Sequence, residues 1–380
     1  MKNIPLFKVF CSPDVCTALK PVFDSGYIGQ GPKVEEFENK LKSRLNLDYL
    51  LTVNSATAGE HLALHLLKKP SSSWPGINQQ DEVLATPLTC TASNWPILAN
   101  GFKIKWVDVN PRTLNMDLDD LARKITPNTK AIMIVHWGGY PNDLDRLKEI
   151  QNKAKEMYGF KPAIIEDCAH AFLSKYKGDY IGSHGNICTF SFQAIKHLTC
   201  GDGGAIILPH YDLYKRGKLA RWYGIDRDEN RKDFRCETDI TEWGFKFHMN
   251  DINATIGIEN MNHIDRIVEK HRSNARFYEL ELKGVNGVEL LQCDDDRSSS
   301  YWLFTILVDR HADFMKAMSE RGVTVSRVHE RNDKHTCVQE FKTQLPNLDS
   351  VVKRMICIPV GWWVTDEDRS YIVESIKRGW

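Results

Sequence analysis

Ile164-Ile165-Glu166-Asp167-Cys168-Ala169-His170-Ala171 and Thr189-Phe190-Ser191-Phe192-Gln193-Ala194-Ile195-Lys196-His197, the latter followed by Gly201-Asp202-Gly203-Gly204, are the stretches on which the reading of this chain turns. Each begins as a short apolar run of strand length and ends in chemistry-bearing side chains. The first delivers two acids and a histidine, the second a serine and then a lysine in a glycine-rich turn. In open α/β sheets, sites form at the carboxyl ends of the strands, which is where Asp167, His170, Ser191 and Lys196 fall.

Working outward, the same alternation recurs. Tyr49–Val53, Glu82–Thr86, Lys103–Val109, Ala131–His136, Ala163–Asp167, Ile187–Phe192 and Ala205–Leu208 read as strands. Amphipathic helical patterns separate many of them, such as Leu118–Ile125 and Leu144–Tyr158. Alternation of this kind predicts an α/β fold with a mostly parallel sheet covered on both faces. Near residue 250 the texture changes. A long, interrupted helical stretch over Asn250–Leu282 leads into strand-like runs at Val288–Leu291, Tyr301–Val308, Val323–Val328 and Ile356–Val360. A last helix follows, opened by Thr365 with Asp368 three residues on, a capping-box spacing. The expected organisation is a large α/β domain over residues 1–255, whose N-terminal segment packs on the second unit, and a smaller α+β domain over 256–380. Ser71–Gln80 reads as a surface loop.

Composition narrows the class. The 380 residues carry 50 Lys+Arg against 50 Asp+Glu, so there is no basic excess to serve nucleic acid or an anionic membrane. The longest apolar runs, such as Ala131–Val135, are far too short to span a bilayer. Lys8 and Asp14 interrupt the N-terminus before any secretory apolar core, and the ten cysteines include no C-x-x-C pair. Reduced thiols in a cytoplasmic protein are expected, and no metal site, because His and Cys lack ligand spacing.

The chemistry is specific in combination. A lysine led into a tight turn loses hydration, its pKa falls, and it becomes an amine nucleophile. A carboxylate stands on a neighbouring strand end. Asn54-Ser55-Ala56-Thr57-Ala58-Gly59, between a strand and a helix, offers free N–H groups where a helix dipole favours an anion. Pyridoxal 5′-phosphate requires these three elements: an amine to carry it, an acid partner for its pyridinium nitrogen, and donors for its phosphate.

In the order and spacing of its motifs the chain resembles the DegT/DnrJ/EryC1/StrS sugar aminotransferases. These are pyridoxal-phosphate enzymes of the aspartate-aminotransferase fold, fold type I. The motifs run from Gly29-Gln30-Gly31-Pro32 through Ser55–Ala58, Thr86-Pro87, Ile125–Ile132, Val135–Gly139, Glu166–Ala171, Ser191–Lys196 and Gly201–Gly204 to Gly244–Asp251 and the helix start at Thr365. By position, the resemblance implies Lys196 as the lysine that carries the cofactor and Asp167 as the pyridinium partner. His170 falls near the ring hydroxyl, and Ser191 with the backbone of Ala56 and Thr57 falls at the phosphate. Cys90 stands where the family places a ring-stacking aromatic, so either a smaller contact suffices or Trp95 reaches over. Lys246 replaces the asparagine that reaches the neighbouring subunit's phosphate in a homodimer. His329 and Arg331 lie where the family contacts the nucleotide sugar, with Arg221 and Arg227 as secondary candidates.

The implied reaction transfers the amino group of L-glutamate, released as 2-oxoglutarate, to a nucleotide-diphosphate-linked 4-keto-6-deoxy-sugar in a ping-pong cycle. The product is a 4-amino-4,6-dideoxy-sugar of the viosamine or perosamine type. Amination at C3 of a 3-keto-sugar and a cofactor-binding regulatory protein without turnover are the alternatives. A nicotinamide oxidoreductase is disfavoured, because Gly26-Tyr27-Ile28-Gly29-Gln30-Gly31 lacks dinucleotide-binding spacing and a preceding strand.

Overall fold

The computed structural model describes residues 2–229, 233, 236 and 239–380. Helices α1 (Val15–Asp24) and α2 (Pro32–Leu45) precede β1 (Leu50–Val53), α3 (Ala56–Leu66), β2 (Glu82–Ala85), α4 (Thr91–Ala99), β3 (Lys103–Trp106), α5 (Leu118–Lys124), β4 (Thr129–Val135), α6 (Leu144–Tyr158) and β5 (Ala163–Asp167). A two-residue hairpin, β6 (Lys175–Tyr176) and β7 (Asp179–Tyr180), leads to β8 (Ile187–Ser191), β9 (Gly204–Ile207) and α7 (Tyr211–Ala220). Helices α8 (Asp251–Met261) and α9 (Ile264–Glu281) connect to β10 (Val288–Leu290), β11 (Arg297–Ser298), β12 (Phe304–Val308), α10 (His311–Glu320), α11 (Pro346–Val351), β13 (Met355–Ile358) and α12 (Asp366–Lys377).

Seven strands form the main sheet in the order β1-β9-β8-β5-β4-β2-β3. It is parallel from β8 through β3, as alternation with helices predicts, whereas β9 runs antiparallel to both β8 and β1. The exception follows from the connection: the 191–204 segment is a loop without a crossover helix, so the chain turns back on itself.

Side-chain alternation sends successive residues to opposite faces. Leu51, Val53, Met133, Ile165 and Ile206 join a core with α3 and α4, while Leu50, Ile132, Ile134, Ile164 and Ile207 join a second core with α2, α6 and α8. A third core holds the small unit, with Tyr278, Phe304, Ile306, Phe314, Ile356 and Ile376. Helix α9 belongs to two cores: Ile264 and Val268 pack on the large unit, Ala275 and Tyr278 on the small one. Ile4 packs in the small unit's core, where its N–H donates to Gly322 O at 2.8 Å and its carbonyl accepts from Thr324 N at 3.0 Å.

The expected strand over Val323–Val328 does not form. Its backbone makes one bridge from Val323 to Ile4 and another from Ser326 to Cys357. Val328 then turns at φ 66°, which a β-branched residue in a strand does not adopt. The interrupted helical stretch, by contrast, divides into α8 and α9, and Thr365 and Asp368 form a reciprocal capping box. All ten cysteines are unpaired, and no helix among the described residues is long and apolar enough to cross a membrane.

Arg221 is a buried strut. Its Nη1 donates to Glu38 Oε1 at 2.5 Å and to the Thr52 carbonyl at 2.8 Å, tying the end of α7 to α2 and to the edge strand β1. Burial pushes the Glu38 carboxyl up, but Arg221 and the Thr52 donors more than offset it, so its pKa lies below the ordinary 4.5. Breaking such a pair leaves an uncompensated buried charge, so Arg221→Met is expected to lose about 3–5 kcal/mol. The urea midpoint of Arg221→Met should fall accordingly, and Arg221→Met/Glu38→Leu should regain most of the loss. Since the folded-state pKa of Glu38 is depressed, the pair's contribution is complete above the ordinary value and is lost as pH falls through the folded value.

Candidate active site

The carboxyl ends of β4, β5 and β8 lie side by side, with Asp167 opposite Val135 on one flank and Thr189 on the other. Asp167 is 4% exposed, and two donors hold its carboxylate: Ser93 Oγ on Oδ2 at 2.6 Å and Ala169 N on Oδ1 at 2.9 Å. After β8 the chain tightens into a turn in which Lys196 N donates to Gln193 O at 2.9 Å and Ile195 N to Gln193 Oε1 at 3.0 Å. The half-buried Lys196 aims its Nζ at the Trp302 ring, 3.3 Å from the centroid, and makes no hydrogen bond or ion pair with a described side chain. Desolvation lowers its pKa to about 7, against the opposing pull of Asp167 and the Cys90 thiol.

Sequence reasoning missed Trp302, for which no local motif signals a role. Its indole N–H donates to the Ile195 carbonyl at 2.9 Å, and its ring stacks on His170 at 4.0 Å and on Phe7 at 5.2 Å. His170 Nδ1 accepts from Gly138 N at 3.3 Å, which places the imidazole proton on Nε2. Burial and the Lys196 charge hold this ring's pKa well below the ordinary value, so it is neutral. His329 lies parallel to His170 at 5.5 Å, and its buried Nε2 has no hydrogen-bond partner. Burial and Lys196 lower the His329 pKa to about 3. The strained turn at Val328 is what swings His329 from the small unit to Lys196.

A cradle of small residues forms beside this cluster. Gly204 pairs with both Val53 and Ser191, which brings the start of α3 level with the end of β8. A Cβ at Gly204 would meet Ala56 N at 2.5 Å, so only glycine permits the approach. Ser55 caps the helix by accepting from Ala58 N at 3.1 Å. The N–H groups of Ala56 and Thr57 precede the first intrahelical bond and stay available to an anion. Ser191 Oγ accepts from Gln193 N at 3.4 Å.

The remaining candidates divide. Cys90 is the half-buried residue before α4, close enough to Lys196 to raise its pKa, whereas Trp95 packs on His335 at 5.9 Å. Lys246 is exposed beside the cradle, its carbonyl accepting from Asn54 Nδ2 at 3.2 Å. Arg331 is occupied: Asp333 takes Nε and Nη2 at 2.7 and 2.6 Å, and Asp349 takes Nη1. Its neighbour Asn332 is fully buried and fastens the small unit to α4 and the turn before it, through Asn94 Nδ2 at 2.8 Å and Thr89 O at 2.9 Å. Arg227 reaches the Gln30 carbonyl at 3.1 Å.

His136, Glu166 and Cys168 bring their donor atoms within 4.8 Å of one another, a proximity that sequence spacing does not reveal. A hydrogen-bond network accounts for this trio, since His136 Nδ1 accepts from Asn142 N at 3.0 Å and Nε2 donates to Glu166 at 2.8 Å. A cavity of about 800 Å³ opens at the other end of the strands, near Ala163, Ile187 and Trp74.

Comparison with known proteins identifies the family and the fold. The model of the DegT/DnrJ/EryC1/StrS aminotransferase family matches residues 12–377. AtS13 from Actinomadura melliaura is 51% identical, superposes with a TM-score of 0.96, and covers all of both chains. The sugar aminotransferase CalS13 from Micromonospora echinospora is 47% identical with a TM-score of 0.95, over 99% of this chain and 100% of its own. GDP-perosamine synthase of Escherichia coli O157:H7 is 32% identical over 100% of this chain and 99% of its own. With the family match spanning nearly the whole chain, this protein is an enzyme that belongs to the DegT/DnrJ/EryC1/StrS aminotransferase family.

Proposed function

We propose that the protein transfers the amino group of L-glutamate to a nucleotide-diphosphate-linked 4-keto-6-deoxy-sugar, giving a 4-amino-4,6-dideoxy-sugar and 2-oxoglutarate with pyridoxal 5′-phosphate as cofactor. The observation that carries this reading is a desolvated, unpaired Lys196 amine beside the carboxylate of Asp167. The sugar class draws support from likeness to a sugar aminotransferase and to a GDP-perosamine synthase.

The residues present fit the cofactor. Lys196 makes no hydrogen bond or ion pair with a described side chain, His329 leaves a buried nitrogen unsatisfied, and Gly204 opens the cradle at Ala56. When bound, pyridoxal phosphate supplies an electron sink for the carbanion formed at the donor or acceptor carbon. In this reading the N–H groups of Ala56 and Thr57 and the Ser191 hydroxyl hold its phosphate. Asp167 accepts a hydrogen bond from the ring nitrogen and so keeps the proton there. Neutral His170 donates from Nε2 toward the ring hydroxyl.

Lys196 Nζ, half-protonated near neutrality, would carry the proton between the substrate carbon and the cofactor, in opposite senses in the two halves of the cycle. Trp302 and Cys90 wall the amine, which keeps it poorly hydrated. His329 faces the acceptor, while Arg331, neutralised by Asp333 and Asp349, braces that segment. Exposed Lys246 serves the partner subunit's phosphate in a homodimer. Exposed Phe23, Tyr27 and Trp243 supply apolar surface of the kind such an interface buries.

Purified protein reconstituted with pyridoxal phosphate is expected to show a visible absorption band that L-glutamate bleaches and that Lys196→Ala lacks. A panel of UDP-, TDP- and GDP-linked 4-keto and 3-keto sugars should then yield an aminated product from a 4-keto-6-deoxy member. A band that glutamate leaves unchanged, or amination at C3 alone, would overturn the assignment. Because the Lys196 pKa is lowered to about 7, cofactor capture by the cofactor-free protein should accelerate as pH rises toward that value and level off above it. An inflection near the ordinary lysine value would contradict this. Sedimentation equilibrium should give twice the chain mass of 43.6 kDa.

A further inference from the structure

Glu60 has no part in the reaction described above, yet it is 1% exposed and lies directly beneath the site. Its neighbour Gly59 seats α3 tightly on the sheet, since a Cβ there would come within 3.2 Å of Thr189 Cγ2. That close approach carries the Glu60 carboxyl between β8 and β5. Oε1 accepts from Thr189 Oγ1 at 3.3 Å, while Oε2 is buried with no hydrogen-bond partner. No cation pairs with Glu60 among the described residues. Thr189 stands opposite Asp167 in the β5–β8 register, which brings the Asp167 carboxylate near enough to Glu60 to push the Glu60 pKa up.

Two carboxyl groups so placed in a dry interior cannot both ionise, so one proton serves the pair. The surroundings decide where it resides. Asp167 already receives Ser93 Oγ and Ala169 N and has Lys196 close by. Glu60 has a single long hydroxyl donor and an orphaned oxygen. The titratable groups around it are Asp167 on β5, Cys90 before α4 and, beyond Asp167, Lys196. Burial, Asp167 and Cys90 all push its carboxyl well above the ordinary range, against Thr189 alone.

We infer that Glu60 is a neutral carboxylic acid in the folded enzyme and donates its O–H to Asp167. It is a positioning residue that supplies the third donor fixing the carboxylate that would meet the cofactor's ring nitrogen. The positioning role rests on the cofactor reading of the site; the protonation state does not. The pair carries a single negative charge, so Asp167 keeps its anion for the ring nitrogen without a second buried charge beside it.

Infrared difference spectra of the cofactor-free protein at neutral pH, wild type minus Glu60→Gln, test the proton directly. The expected result is a protonated-carboxyl carbonyl band present in the wild type and lost in the variant. Its absence overturns the proposal, and this arm is decided whether or not pyridoxal phosphate binds. In the reconstituted enzyme, Glu60→Gln keeps a donor of the same shape and should release the cofactor at nearly the wild-type rate. Glu60→Leu removes the donor to a buried charge and should release it roughly 10-fold faster. A Glu60→Leu variant that holds the cofactor as long as the wild type overturns the positioning role.

Discussion

An amine moved partly out of water, with an aromatic face against it and no carboxylate within hydrogen-bonding distance, is the constraint on which the site depends. Lys196 would titrate near 10.5 in solvent, and desolvation brings it to about 7. A direct ion pair with Asp167 would cancel that effect. The Asp167 oxygens instead accept from Ser93 Oγ and Ala169 N, and Lys196 makes no ion pair with a described side chain. Trp302 in turn is fixed by its bond to Ile195 O, one residue before the lysine, so the aromatic wall and the amine are placed together.

The small unit contributes through backbone that departs from its own preferences. Tyr301 and Val328 both have positive φ, at 50° and 66°, immediately before Trp302 and His329. Such conformations persist only where surrounding contacts over-determine them. The Asn332 bonds to Thr89 and Asn94 and the double membership of α9 in two cores supply those contacts. The two units therefore meet as one site, with residues more than a hundred positions apart in ring contact.

Much of this was legible beforehand. Each strand of the main sheet is a short run bounded by turn residues, and local patterning decides such elements. The turn at the start of α3 and the lysine turn were legible as turns because they rest on backbone geometry that glycine, alanine and serine permit and larger residues do not. The strand expected at Val323–Val328 was misread because β-branched residues signal extended backbone but not a partner. Here the partners are a single N-terminal residue and one position of β13. Arg331 looked available in the sequence, yet Asp333 and Asp349 claim its guanidinium.

What the sequence by itself determined is the alternating α/β frame, the end of the strands at which chemistry-bearing side chains gather, and the residue types found there. Periodicity and turn chemistry are local properties, and they suffice for that much. Only the tertiary structure decided which groups touch: Trp302 on Lys196, His329 parallel to His170, and Glu60 under Asp167. These contacts join distant segments, and the pKa shifts that give the site its chemistry arise from burial and neighbouring charge, neither of which exists until the chain has closed around them.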